Sequence, residues 1–258
     1  MINLYDYQLL PIFLVSLAVI LAANEIGRWL GVRARSRGGD DVTTLESAVL
    51  GLLALMIGFT FAMSLTRFDA RRDAVLNEAN AIGTTALRAR LLPAPHNTEA
   101  LKILREYVSV RLEIVQRVVS PAELSAAIVR SNELQEALWQ VVKTIAAKEP
   151  AMVPTGLFIQ TLNEMIDDHS KRLTALRSRV PNIVLIALYG AAAVAGAFVG
   201  YARGLGARSS RIPAYVIIVL VSAVILLIQD LDRPRTGFIT ISQQPMIDAA
   251  ASIKSYVD

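Results

Sequence analysis

Residues 45–65 read LESAVLGLLALMIGFTFAMSL, and after Glu46 the stretch holds nothing ionisable. A bilayer core about 30 Å thick is crossed by roughly 20 helical residues. A run of this length and purity therefore reads as a spanning helix and not as a helix of a soluble core. Three other blocks approach the same length: residues 8–30 (purest over 9–23), 182–201 and 214–228. The chain is 54% hydrophobic over 258 residues, with a mean hydropathy of +0.47, and its apolar residues are concentrated in these blocks. The expected fold is all-α: an integral membrane protein with four transmembrane helices and an extramembrane helical bundle inserted between the second and third. The expected division is residues 1–66 (spans 1 and 2 with a short basic loop), 67–180 (the helical insert) and 181–258 (spans 3 and 4 with a short tail).

The first block lacks the positive leader of a cleaved signal, since residues 1–10 hold no Lys or Arg, so it reads as a retained helix. There are no cysteines, which excludes disulfides, thiolate metal sites and cysteine nucleophiles. The net charge of +4 and a pI near 9.5 fit arginines beside anionic lipid heads better than nucleic-acid binding. No phosphate loop, HExxH, GxSxG or dinucleotide fingerprint occurs, so no enzyme, metal site, cofactor or small-molecule substrate is expected. Membrane lipid is the expected contact.

The short loops are basic, with Arg33, Arg35 and Arg37 beside Gly38 and Gly39 in the first, and Arg203, Arg208 and Arg211 in the second. The flanks of the insert are basic as well, through Arg67, Arg71, Arg72, Lys171, Arg172, Arg177 and Arg179, and Arg233 and Arg235 follow the fourth span. Counted by the positive-inside rule, these charges leave orientation open.

No proline interrupts the chain from Arg67 to Arg90, so the second span is expected to continue as one rod beyond the bilayer until Pro93 and Pro95. Over 98–119, Leu101, Leu104, Val108, Leu112, Val115 and Val119 fall on one face of an amphipathic helix. Ser120-Pro121-Ala122-Glu123 has the form of a capping box and opens a further helix. Pro150 and Pro154 mark another turn before a last helix that runs to Pro181.

Ionisable groups at span edges are functional candidates. Asn24 and Glu25 close the first span and Glu46 opens the second. Asp230 and Asp232 close the fourth beside Arg233 and Arg235, as ion-pair or gating residues. On the second span Glu46, Leu50, Ala54, Ile57, Phe61, Ser64, Arg67 and Arg71 recur near helical spacing. Were that face to line a pore, Glu46, Leu50, Ala54 and Ser64 would form the entry and wall. Ile57 and Phe61 would constrict it, and Arg67 and Arg71 would make a basic vestibule. The same spacing also suits helix packing. Ala192, Gly196 and Gly200 form a small-residue stripe suited to close helix approach. Glu164, Asp167, Asp168 and His169 cluster on one helix in a pattern that could bind a divalent cation, but the favoured reading is ion pairing of Asp167 with Lys171 and of Asp168 with Arg172.

Several blocks together carry a resemblance: ESAVLGLLAL from Glu46, GFTF from Gly58, RFDARR from Arg67, EANAIGT from Glu78, LNEMID from Leu162, DLDRPRTG from Asp230 and SQQP from Ser242. The series resembles the bestrophin-like domain proteins of bacteria and plants over nearly the whole chain. Bestrophins proper are pentameric anion channels with four spans, cytosolic termini and a pore lined by the second span. The resemblance implies a homo-oligomeric (pentameric) anion channel in a bacterial inner membrane, with termini and insert in the cytoplasm. The acidic calcium clasp of bestrophins is not evident after the fourth span, where Asp230 and Asp232 alternate with arginine. The alternative is a non-conducting membrane scaffold or regulator whose insert binds a partner.

Overall fold

The computed structural model describes residues 4–35, 42–116, 120–148, 153–206, 210–234 and 237–256. Arg37, Gly38, Gly39, Val119, Pro150, Arg208 and Arg235 lie outside the described residues, so the ion-pair or gating role expected of Arg235 is not described. After a 3-10 turn at Leu4–Asp6 the helices are α1 (Leu9–Arg35), α2 (Thr43–Ala89), α3 (His96–Gln116), α4 (Pro121–Lys148), α5 (Val153–Arg177), α6 (Asn182–Leu205), α7 (Ile212–Asp232) and α8 (Gln244–Ser255). Among the described residues there is no strand.

Local chemistry sets the helix ends. At the start of α4, Ser120 N–H donates to the Glu123 carboxylate at 2.7 Å, and Glu123 N–H donates back to Ser120 Oγ at 3.2 Å. This reciprocal pair satisfies two N–H groups that an open helix end leaves without partners. The donorless prolines lie between helices: Pro93 and Pro95 after α2, and Pro181 before α6. With no such break inside it, α2 runs for 47 residues. Its apolar stretch ends at Leu65, and the outer side of the remainder is mostly polar, with Leu76 and Leu87 as exposed exceptions.

Four helices, α1, α2, α6 and α7, carry apolar stretches long enough to cross a membrane. Many of their large side chains face outward, Phe59 at 68% exposure and Ile183 at 70% among them. Such surface suits lipid or a neighbouring membrane helix and not water.

The chain forms two compact units. The first comprises residues 1–68 and 179–240. Its core joins Ile20, Leu53, Leu185, Leu188, Ile218, Ile225 and Ile228. In it α1 and α6 approach through glycine. A Cβ at Gly200 would stand 2.0 Å from the Asn24 carbonyl oxygen, and one at Gly27 would stand 2.0 Å from that of Ala197. The closeness also lets the Asn24 side-chain amide donate to the Gly196 carbonyl at 2.9 Å. Ala192 is buried one turn before Gly196.

The second unit comprises residues 69–178 and 241–258, so the end of the chain belongs with the polar helices. On α3, Leu101, Leu104, Tyr107 and Val108 are all at most 1% exposed, and they meet Leu138 and Val142 of α4 and Phe158, Leu162 and Met165 of α5. Met246, Ala250 and Ile253 of α8 complete this core. Arg105 fixes the end of α8 by donating to the carbonyls of Ile253 at 3.3 Å and Tyr256 at 2.6 Å. Residues 241–258 read as a short tail in the sequence. The three buried positions of α8, Met246, Ala250 and Ile253, are too few to announce a helix.

Candidate functional site

α2 has two distinct sides. Leu53, Thr60, Ser64, Arg71, Val75, Glu78, Ile82 and Thr85 are buried at steps of three, four or seven along one side. The opposite side exposes Leu52 at 57%, Leu55 at 55% and Phe59 at 68%, followed by Ala62, Met63 and Thr66. The stripe expected to line a pore falls mainly on the first side. Leu50, Ile57 and Phe61 are half-buried against the core of the first unit, and Ser64 is fully buried. Glu46 is half-buried and Ala54 is exposed. Arg67 is half-buried, whereas Arg71 is 2% exposed and donates to the Ser178 carbonyl at 3.4 Å. Beyond the apolar stretch the exposed side carries Asp69, Arg72 and Asp73.

At the end of α7 both carboxylates bind backbone. Asp230 accepts from Phe238 N–H at 2.6 Å and Ile239 N–H at 2.8 Å, one on each oxygen. This draws Gly237 so close that a Cβ there would stand 2.5 Å from Asp230 Oδ1, which explains the glycine. Asp232 accepts from Val180 N–H at 2.7 Å and from the Tyr5 hydroxyl. Arg233 donates to the Leu4 carbonyl at 3.0 Å, and the Arg179 guanidinium lies 4.8 Å above the Tyr5 ring. Burial, reinforced by the Asp232 hydrogen bond, pushes the Tyr5 phenol up. The first described residues are thus tied to the start of α6 and the end of α7.

The second unit contains a buried charge cluster that the sequence reading did not assemble. Glu78 on α2 is fully buried. Its Oε1 lies 2.9 Å from Arg111 Nε, 3.3 Å from the Tyr107 hydroxyl and 3.4 Å from His169 Nδ1. Its Oε2 accepts from Arg111 Nη2 at 3.3 Å and from Arg172 Nη1. Gln135 on α4 donates to the Tyr107 oxygen at 3.3 Å, and Arg172 Nη2 donates to Gln243 Oε1 at 3.0 Å. Three helices therefore meet at one carboxylate, and α4 and the approach to α8 join it through Tyr107 and Arg172. Burial alone would raise the Glu78 carboxyl. Arg111, the His169 hydrogen bond and Arg172 outweigh it and hold the group below the ordinary carboxylate range. Burial, then the Glu78 charge, pushes the Tyr107 phenol up. The available sequence signal was positional. His169 and Arg172 continue the stripe Phe158, Leu162, Met165 on α5, and Arg111 continues Leu104, Tyr107, Val108 on α3.

The acidic group on α5 is arranged differently from the ion pairs expected of it. Lys171 Nζ holds Asp168 at 2.8 Å, while Arg172 turns inward to Glu78. Among the described residues no group of three His, Asp or Glu side chains is placed to hold a metal ion.

Four apolar helices, one of them extended far past its apolar stretch, joined to a polar helical unit, define a helical membrane protein. The model of the Bestrophin-like domain matches residues 12–246, and the chain belongs to that family. The fold agrees. A bacterial Bestrophin homolog from Klebsiella pneumoniae superposes with a TM-score of 0.70 at 15% identity, over 93% of this chain and 96% of that one. A tryptophan-to-alanine variant of that protein gives 0.70 at 16% identity, over 96% of each chain. A crystal structure described as a membrane protein gives 0.68 at 14% identity, over 93% of this chain and 97% of that one. No curated protein matches the sequence. The family is one of bestrophin-like membrane proteins and not an enzyme family.

Proposed function

We propose that the chain is one subunit of a homo-oligomeric ion channel, a pentamer by analogy with bestrophins, in a bacterial inner membrane. In this reading the second unit is an extramembrane bundle on the cytoplasmic side with the termini, where its basic flanks meet anionic lipid. The path runs along the exposed side of α2. The observation that carries the reading is that side itself: a continuous helical face presenting Leu52, Leu55 and Phe59 and then, past Leu65, polar and charged groups.

A ring of such helices gives an apolar constriction that gates by dewetting and a charged mouth that sets selectivity. Half-burial of Ile57 and Phe61 in the subunit's own core argues for moving the constriction onto the neighbouring exposed positions Leu55 and Phe59. Ile57 and Phe61 then back that wall. Anion conduction is the leading selectivity, with Arg67 and Arg72 as the positive groups nearest the end of the apolar stretch. A second reading, cation conduction, is favoured by one arrangement: Arg71 is turned inward to Ser178, whereas Asp69 and Asp73 are exposed beside Arg72. The reversal potential across a bilayer with unequal KCl on its two sides separates the two. A shift toward the chloride equilibrium potential supports anion conduction, and a shift toward that of potassium supports the second reading.

A further inference from the structure

We propose that the buried cluster around Glu78 is a binding site for a small anion of halide size. The first ground is charge. Glu78 is the one carboxylate among the described residues in contact with either Arg111 or Arg172, and both guanidinium groups are buried with it. Two positive groups against one negative leave an excess positive charge in a protein interior, where a charge is tolerated only when compensated.

The second ground is hydrogen bonding. Arg172 uses Nη1 on Glu78 and Nη2 on Gln243, while its Nε–H is buried and makes no hydrogen bond. His169 Nε2 is in the same condition, one helical turn away on the same face of α5. Buried donors of this kind are ordinarily matched by an acceptor.

The tautomer decides whether His169 is one of those donors. The Tyr107 hydroxyl accepts from Gln135 and has a single proton to give, either to Glu78 Oε1 at 3.3 Å or to His169 Nδ1 at 3.2 Å. When it goes to Nδ1, the neutral ring carries its proton on Nε2. An anion beside Arg172 Nε and His169 Nε2 then accepts two N–H groups and cancels the excess charge. The enclosure of Arg172 and His169, at 5% and 2% exposure, favours the smallest anions, chloride or bromide, over a phosphate ester. The site lies on the polar part of the molecule, so it stands or falls apart from conduction.

The test uses the full chain purified in detergent. Thermal unfolding is followed as sodium gluconate is replaced by sodium chloride or bromide at constant ionic strength, and crystals soaked in bromide are examined for anomalous scattering. The proposal expects a saturable rise in unfolding midpoint with either halide, and a bromide peak within hydrogen-bonding distance of Arg172 and His169. Arg172→Gln abolishes the halide dependence. Equal midpoints in chloride and gluconate overturn the proposal, as does a halide response with no bromide peak at the cluster. If Arg172→Gln does not fold, the bromide peak in the unaltered protein decides.

Discussion

Arg172 on α5 pairs with Glu78 on α2 across 94 positions of sequence, with both side chains inside the second unit. The pair fixes two helices to each other, and the second arm of Arg172, on Gln243, extends the tie to the approach of α8. Breaking one partner of a buried pair is costly because the other remains charged and enclosed. Glu78→Gln is expected to lower unfolding stability by about 3–5 kcal/mol. Pairing it with Arg172→Met is expected to restore part of that loss. Denaturant unfolding of the single and double variants checks both.

The same carboxylate sets a pH dependence. Its pKa is held below the ordinary value of 4.5 in the folded chain, so the stabilisation is present above that value. It is lost progressively as pH falls below 4.5 toward the lowered folded value. Unfolding midpoints across this acid range are expected to fall more steeply for the unaltered protein than for Glu78→Gln. Equal slopes would contradict the assignment.

The contact between α1 and α6 makes a size prediction. Gly200→Val places a branched side chain where even a Cβ would stand 2.0 Å from backbone, so folding yield and thermal stability are expected to drop sharply. Gly190, on the same helix, has nothing within 4 Å of an added Cβ, and Gly190→Ala is expected to be tolerated. Monodisperse yield in detergent compares the two.

Asp230 holds the backbone of Phe238 and Ile239 with its two oxygens. Asp230→Ala leaves those N–H groups to find other partners, at a cost of about 1–3 kcal/mol. Limited proteolysis is expected to cut near Gly237 much faster in this variant, while Asp230→Asn, which keeps one acceptor oxygen, falls between.

Much of the helical plan was legible because apolar length, proline positions and the capping box at Ser120 are local signals. The long α2 and the glycine stripe of α6 belong to the same class. Tertiary pairing was not legible. Arg172 had an acidic neighbour one turn away in Asp168, yet burial beside Glu78 won over that local pair. Asp230 and Asp232 stood beside arginines in sequence but serve backbone N–H groups, because the chain turns sharply after α7. On α2, Ile57 and Phe61 had suitable spacing for a pore wall and equally for packing, and spacing alone does not say which side of a membrane helix meets its own subunit. Both are half-buried against the core that joins Leu53 to Leu185, Leu188 and Ile218.

Conduction along the exposed side of α2 is the claim on which the functional reading rests, and recording from purified oligomer in planar bilayers tests it most directly. The account predicts discrete currents that Phe59→Ala enlarges or frees from gating, with a smaller effect from Phe61→Ala. A silent bilayer, with inserted oligomer verified, would contradict it and favour a non-conducting scaffold.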